Sequence, residues 1–369
     1  MTNLATFPWT DGSDLAVGLS PAFLAPGANA STGNGDDVVI GIGIVPGLTF
    51  NEDQFVAGVY VGPSGLYLGE GSVLNTGNGA DMVAGTGANG IDDPVVFGLG
   101  LPGGNGGDGI RNRGSILTGN GSDLAVGLNG QLGPIIRGQG GDGADATSSS
   151  SLFNANDGRN GGNGGAGIRN LNTGSIRTGN GSDLLVGLGG EGGDGGNGWY
   201  GVGGSNRNGG NGGDGGDGLR NEGGRIETGN GDDVIIGIGG AAGAAGAAGN
   251  AGSAGTPGRQ GFGVYNSGII DMGRGDDVLD AGSGGFGGNG TVKMGFGDDV
   301  VKGFGSGTFV ADKGFDRLLL NSGTYNVVTG SASGSFNISN GAMPGVTMVV
   351  SGFESLNGQA FGTGTFVVA

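Results

Sequence analysis

The chain contains no cysteine and no histidine in 369 residues. Without thiols there can be no disulfide, no thiolate metal ligand and no cysteine nucleophile. Without imidazole, Ser-His-Asp and Cys-His triads and histidine-based zinc sites are excluded as well. Aromatic residues make up only 6% and hydrophobic residues 35% of the chain. That is too little for a conventional layered core of large side chains. No apolar run approaches the roughly 20 residues of a membrane-spanning helix. The opening MTNLATFPWTDGSD has neither a basic stretch nor an apolar one, so no cleavable secretory signal is expected. Basic residues are also few, 15 against 33 acidic ones, and the net charge of −18 opposes binding to nucleic acid or anionic lipid while favouring cations.

What the chain does have is glycine, 101 residues of it, and a repeated turn. Thr-Gly-Asn-Gly-x-Asp begins at Thr32, Thr76, Thr118, Thr178 and Thr228, with looser relatives at Met272 and Met294 and a truncated copy at Thr10. A short aliphatic run and then a glycine follow each copy. Apolar runs that return at fixed positions argue against disorder, because low-complexity linkers do not repeat them. A unit too small to bury its own apolar face must stack on copies of itself, so the expected fold is all-β, a parallel β-solenoid with a thin strip of Val, Ile and Leu inside each coil.

The last Asp of each turn falls at Asp14, Asp37, Asp81, Asp123, Asp183, Asp233, Asp277 and Asp299, at unequal intervals. The two shortest, from Asp14 to Asp37 and from Asp277 to Asp299, predict a coil of about 22 residues. The longer intervals predict insertions at about 128–168, 189–218 and 240–261. The last two carry glycine at every third position over long stretches. Extended threefold strands of the polyglycine-II type and flexible glycine loops both fit that pattern; 128–168, with its run Ser148–Ser151, reads as the least ordered. Asn112, Asn172 and Asn266 stand equally far before their turn acids Asp123, Asp183 and Asp277 and predict an internal asparagine ladder, with Asn221 offset by one at a bulge. Residues 1–303 thus read as the solenoid. Residues 304–369, where β-branched and aromatic residues alternate with turn clusters, read as a C-terminal β-hairpin cap that serves export or assembly.

Calcium takes six or more oxygens, typically carboxylates mixed with backbone carbonyls. The turns supply both, and the paired acids Asp36/Asp37, Asp232/Asp233, Asp276/Asp277 and Asp298/Asp299 would line one edge of the stack as a self-repelling ladder. The same letters also make good metal-free turns. These turns resemble the nonapeptide repeats GGxGxDxUx of RTX (haemolysin-type) exoproteins, whose fold is a parallel β-roll with calcium between stacked turns. Mapped onto this chain, the resemblance implies calcium at Gly33, Gly77, Gly119, Gly179, Gly229, Gly273 and Gly295. It implies the same for the fourth-position Gly35, Gly79, Gly121, Gly181, Gly231, Gly275 and Gly297, and for the aspartates Asp37, Asp81, Asp123, Asp183, Asp233, Asp277 and Asp299. Asp14 and the preceding acids Asp36, Asp232, Asp276 and Asp298 complete the candidate set. The chain departs from the family in having Thr or Met at the first glycine position and one motif per long coil, which predicts a wider solenoid with a single calcium edge.

RTX-like proteins leave the cell through a one-step type I exporter that reads an uncleaved C-terminal signal, and the apolar end TFVVA fits that route. The expected function is a secreted structural protein: a calcium-stabilised subunit that associates with itself in an extracellular filament, sheath or surface layer, similar to oscillin-like RTX surface proteins. The truncated first turn at Asp14 would leave an open N-terminal end able to receive another subunit. The competing reading is a soluble calcium-dependent adhesin or carbohydrate-binding exoprotein with a cell-surface glycan as partner, which Trp199 and Tyr200 would contact from an exposed platform. A third, a β-helix polysaccharide lyase, draws on Arg111, Arg169 and Arg220, but residues that recur along a solenoid are more often structural than catalytic. No enzymatic activity is expected.

Overall fold

The computed structural model describes residues 2–10, 15–18, 22–32, 38–42, 55–56, 59–60, 64–78, 80–90, 95–96, 99–100, 104–120, 135–139, 157–198 and 207–369. Among them there is no α-helix, only a single 3-10 turn at Leu4–Thr6. Among the described residues no helix is long and apolar enough to cross a membrane. The chain visits three large sheets in a fixed order, an arrangement of parallel ladders consistent with a β-solenoid. One visit runs through Ile168–Asn170, Ser175–Arg177 and Leu184–Leu188; the next runs through Leu219–Asn221, Arg225–Asn230 and Val234–Ile238, paired in parallel and in register with the first.

Alternation along each short strand decides what lies inside. In Ile168–Asn170 and Leu219–Asn221 the outer two residues are buried, and in Ser175–Arg177 the middle one is. Register then stacks like on like. Ile110, Ile168, Leu219 and Val264 form one buried column, Leu74, Ile116, Ile176, Ile226 and Ile270 a second, and Leu185, Ile235, Leu279 and Val301 a third. Full burial of each such side chain is worth about 1.5–3 kcal/mol, so one from each sheet per repeat sustains a core with few large residues. Val264, Ile270 and Leu279 pair with Phe286, Val292 and Val301 without any excursion between, so this repeat has the length expected from the shortest turn interval.

Longer repeats contain excursions. Residues 189–198, 207–218 and 239–263 lie outside the sheets and run in glycine-rich layers that are neither strand nor helix. Their backbone hydrogen bonds recur every third residue: Gly210, Gly213 and Gly216 N–H groups donate to Gly196, Gly193 and Gly190 carbonyls at 2.8 Å, and Gly240, Gly243 and Gly246 donate to Gly216, Gly213 and Gly210. A third layer, 157–166, joins through Gly161 and Gly164, which donate to Asn211 and Asp214 carbonyls. The third letter of many triplets is Asn or Asp, and its side chain accepts an N–H of the next layer, as Asn160 does from Asn211 and Asn211 from Thr256, both at 2.8 Å. The glycine triplets therefore hydrogen-bond to one another within the chain.

Several details differ from the sequence reading. The asparagine ladder is real, but it runs Asn112, Asn170, Asn221 and Asn266, with each Nδ2 donating to the next Oδ1 at 2.8–2.9 Å. Asn172 lies in a longer corner and takes no part, while Asn221 is in register without a bulge. Within the expected insertion 128–168, Ile135–Gln139 occupies the slot in the third sheet between Met82–Thr86 and Leu184–Leu188. The run Ser148–Ser151 lies outside the described residues. At the N-terminal end Leu4 is buried against the first core residues and Trp9, tilted against Phe7, donates its indole N–H to the Leu4 carbonyl at 3.0 Å, while Leu15–Gly18 and Asn29–Ser31 are the outermost strands of their sheets.

Toward the C-terminus the parallel ladders continue past 303. Gly307–Lys313 pairs with Thr291–Phe296, Arg317–Leu319 with Val300–Lys302, and Ser355–Leu356 with Arg317–Leu319. The antiparallel strands Gly323–Thr329, Ser335–Asn340, Thr347–Ser351 and Gly364–Val368 then complete the second sheet. Here the core becomes aromatic, with Phe286 against Phe309 and Phe304 against Tyr325 in edge contacts.

Candidate metal edge and its carboxylate ladders

Each complete turn repeats one backbone solution. Gly179, Gly229, Gly273 and Gly295 have φ of 98–106°, and Gly181, Gly231, Gly275 and Gly297 have φ of 126–140°. Only glycine adopts these values freely. A Cβ on Gly231 would also lie 2.0 Å from the Gly181 carbonyl oxygen. Gly77 and Gly119 share the left-handed conformation. Asp14, Gly33, Gly35, Asp36, Asp37, Gly79, Gly121 and Asp123 lie outside the described residues, as do Trp199 and Tyr200.

The two acids of each pair have different roles. The first is exposed and points forward along the stack: Asp232 Oδ1 accepts the Asp276 N–H, Asp276 accepts that of Asp298, and Asp298 accepts that of Phe315, at 2.8–2.9 Å. The second is buried and points back. Asp233 Oδ1 accepts the Asp183 N–H, Asp277 that of Asp233, and Asp299 that of Asp277, again at 2.8–2.9 Å. This inner ladder runs two rungs further than the motifs indicate, because Asp316 accepts from Asp299 and Glu354 from Asp316. A faint signal marked these rungs: Gly-Phe-Asp at 314–316 and Gly-Phe-Glu at 352–354, each with Leu two residues on, degrade the pattern seen in full at Gly297–Val301.

The inner ladder is only half satisfied. Asp233, Asp277, Asp299 and Asp316 each have a buried Oδ2 with no hydrogen-bond partner, and Asp183 has two such oxygens. Burial, aided by like charge from neighbouring acids, pushes the Asp183 and Asp277 carboxyls up to about 8, Asp233 and Asp299 to about 7, and Asp316 to about 6. A buried carboxyl in that state either keeps its proton or needs a positive partner. The threonines of the turns stand beside these acids and pull against burial, Thr178 at Asp183 and Thr228 at Asp233. Their hydroxyls, however, donate to the Thr228 and Met272 carbonyls, whereas Thr76 Oγ1 donates to Asp81 Oδ2 at 2.7 Å.

The other motif letters are engaged elsewhere. Thr118 and Thr178 point inward, and each hydroxyl donates to the carbonyl of the next rung, Thr178 and Thr228. Met272 and Met294 take the same buried place further along. A glycine there would leave a cavity in the core. The motif asparagines form an exposed ladder in which the Asn78, Asn120 and Asn180 amide oxygens each accept the next repeat's Nδ2. Their amides are therefore not turned toward the buried acids. Among the described residues no three acidic side chains converge on one point, so a cation on this edge would be held by carboxylates of successive repeats together with backbone oxygens. The orphaned carboxylate oxygens and the oxygen-only donor set fit a hard cation such as calcium.

A second polar feature lies on the outer face of the first sheet. Tyr67, Arg111, Arg169, Arg220 and Tyr265 are in register on successive strands. Asp217 and Glu222 bind Arg220, and Glu222 also binds Arg169 at 3.0 Å. Burial alone would raise the Glu222 carboxyl, but Arg220 and Arg169 outweigh it and hold the group below its usual range. No family model matches the chain, and no curated protein sequence does.

Proposed function

We propose that this chain is a calcium-stiffened structural solenoid exported to the cell surface, where copies associate into a filament, sheath or surface layer. The three ladders would close around the thin core as coils, with the glycine layers standing beside them as a polyglycine-II-like flange. The observation that carries the reading is the inner ladder, with a buried and incompletely satisfied acid at turn after turn. Asp183, Asp233, Asp277 and Asp299 would hold calcium, with backbone oxygens of the glycine turns beside them, and Asp316 and Glu354 would extend the row. The ion supplies the positive charge that lets these carboxyls ionise while buried. A ligand that binds only the native state stabilises it by about 2.7 kcal/mol at a hundredfold excess over its Kd, so a calcium-poor cytoplasm would leave the turns loose and a calcium-rich exterior would lock them.

Leu15–Gly18 and Asn29–Ser31 end their sheets on the N-terminal side, so that end offers one route to association and the flange of glycine layers a lateral one. Light scattering and electron microscopy of the purified protein, titrated with calcium and then with chelator, test the reading. Calcium-dependent filaments or sheets that dissolve in chelator are the expected result. A folded monomer indifferent to both would overturn it.

A further inference from the structure

The arginine column floors an open cleft of about 680 Å³, walled on one side by the glycine layers through Asn105, Asn163 and Asp214. Strand spacing of about 4.8 Å makes the run from Arg111 to Arg220, two strands on, roughly 10 Å long. The arginines along it are not equally occupied. Arg220 makes two close ion pairs and Arg169 one, whereas Arg111 faces Asp108 across 3.8 Å; Arg111 and Arg169 each keep a buried Nε without a hydrogen-bond partner. Asp108 stands equally far, 3.9 Å, from Arg169. It is itself buried and accepts one backbone N–H, from Ala166 at 3.1 Å. Gaps of this size between a guanidinium and a carboxylate have room for a bridging oxygen.

We propose that this cleft binds a neutral saccharide chain, whose hydroxyls bridge Arg111, Asp108 and Arg169 and whose rings lie along the arginine floor toward Phe262. The choice of ligand follows from charge and from donor count. Arg111, Arg169, Arg220 and Arg259 line the cleft with Asp108, Asp214 and Asp217, and Glu222 binds Arg169 and Arg220 beside it, so the site is balanced and offers donors and acceptors side by side. A hydroxyl uses both at once, donating to a carboxylate and accepting from a guanidinium. A bare anion would meet three carboxylates on a chain of net charge −18 and be repelled. Tyr265 already stacks on Arg220, with Cζ 4.4 Å from the ring centroid, and Phe262 packs beside it, so the floor ends in an apolar shelf. The volume lies within the range of small-ligand sites. The chemistry of the cleft stands apart from the calcium reading; only its setting at a cell surface rests on it.

Calorimetric titration of the full-length, calcium-loaded protein with short and long members of neutral gluco-, xylo-, manno- and N-acetylglucosamine oligosaccharide series tests the proposal, with a polyuronate for comparison. At least one neutral series binds, more tightly as the chain lengthens toward the span of the cleft. Arg111→Met weakens that binding about tenfold or more, as expected when a polar ligand group loses its partner, and Arg274→Met, outside the cleft, leaves it unchanged. Should Arg111→Met fail to fold, Ser64→Phe at the cleft wall blocks the same binding. Absence of binding by every neutral series, binding untouched by both cleft variants, or binding of the polyuronate alone would each overturn the proposal. Light scattering on the same samples reads assembly separately, so failure of the saccharide site and failure of the structural reading are distinguishable.

Discussion

The sheets and the glycine layers solve the same problem in opposite ways. In the sheets, buried columns such as Ile116, Ile176, Ile226 and Ile270 supply the driving force, and the backbone ladder follows the pleat. In the layers almost nothing apolar is buried. Backbone groups pair with several neighbouring segments at a three-residue period, and glycine is needed because the segments approach too closely for any side chain. Glycine content by itself therefore does not mean flexibility. What decides is whether the glycines recur at the period that lets neighbouring backbones meet.

The largest effect that would sharpen this comparison is the pH response of the sheet-edge acids, which the layers lack. The inner-ladder carboxyls have folded-state values of about 6 to about 8 against an ordinary value of 3.8. The folded chain thus holds more protons than the unfolded one across that window. Its metal-free stability is full below about pH 4 and is lost as pH rises through the folded values. Glu222 and Glu227, held down by arginines against the opposing pull of burial, act in the other sense and only toward acid pH, while Asp108, also raised by burial, acts in the same sense as the ladder, so an Asp108→Asn background measured above about pH 5 isolates the ladder. In chelator the melting temperature falls from about pH 5 to about pH 8.5, and calcium restores most of it at the alkaline end. A chelated protein whose melting temperature rises over that range would contradict the ladder.

Next in size are two core lesions of different kinds. Ile226→Ala empties the middle of a buried column and costs about 2–5 kcal/mol. Gly213→Ala adds one carbon, which would sit 1.9 Å from the Gly162 carbonyl oxygen with backbone on both sides, and costs about 1–3 kcal/mol or more. Gly341→Ala, with nothing within 4 Å of its added carbon, stays within about 0.5 kcal/mol. Denaturant unfolding ranks the three. If Gly213→Ala matched Gly341→Ala, the layers would be loosely held and the comparison would break.

The smallest effect belongs to the asparagine ladder, whose amides join successive repeats through one another and through backbone carbonyls such as Ser175 and Arg225. Asn170 Nδ2 donates to Asn221 Oδ1, and its own Oδ1 accepts from Asn112. Asn170→Ala leaves both neighbours short of a partner and costs about 1–3 kcal/mol, whereas Asn172→Ala, in the adjoining corner, changes little. Equal effects in the same unfolding assay would mean that the ladder carries no specific energy.

Much of this was legible in advance. The interval from Asp277 to Asp299 holds one repeat with no excursion, so it set the repeat length, and triplet glycine in 189–218 and 240–261 marked the excursions. Other features were hidden for physical reasons. Counting back from the turn chose Asn172 because a longer corner moves the register without altering composition. The rungs Asp316 and Glu354 were missed because their turns keep a glycine and an acid but lose the rest of the motif. The opposite directions of the two acids in each pair could not be read, since neighbouring Asp letters look alike until the pleat sends one inward.

Periodicity and glycine-dependent turns are local properties that survive in the letters, which is why a β-rich chain, its repeat length and its edge of paired acids could all be read before any coordinates. Stacking alone fixed which acid of each pair is buried without a full set of partners, which triplets share hydrogen bonds, and that Arg111, Asp108 and Arg169 meet at the mouth of a cleft. Those facts depend on register between residues far apart in the chain, 58 positions for Asn112 and Asn170 and 45 for Asn221 and Asn266, which no local pattern encodes.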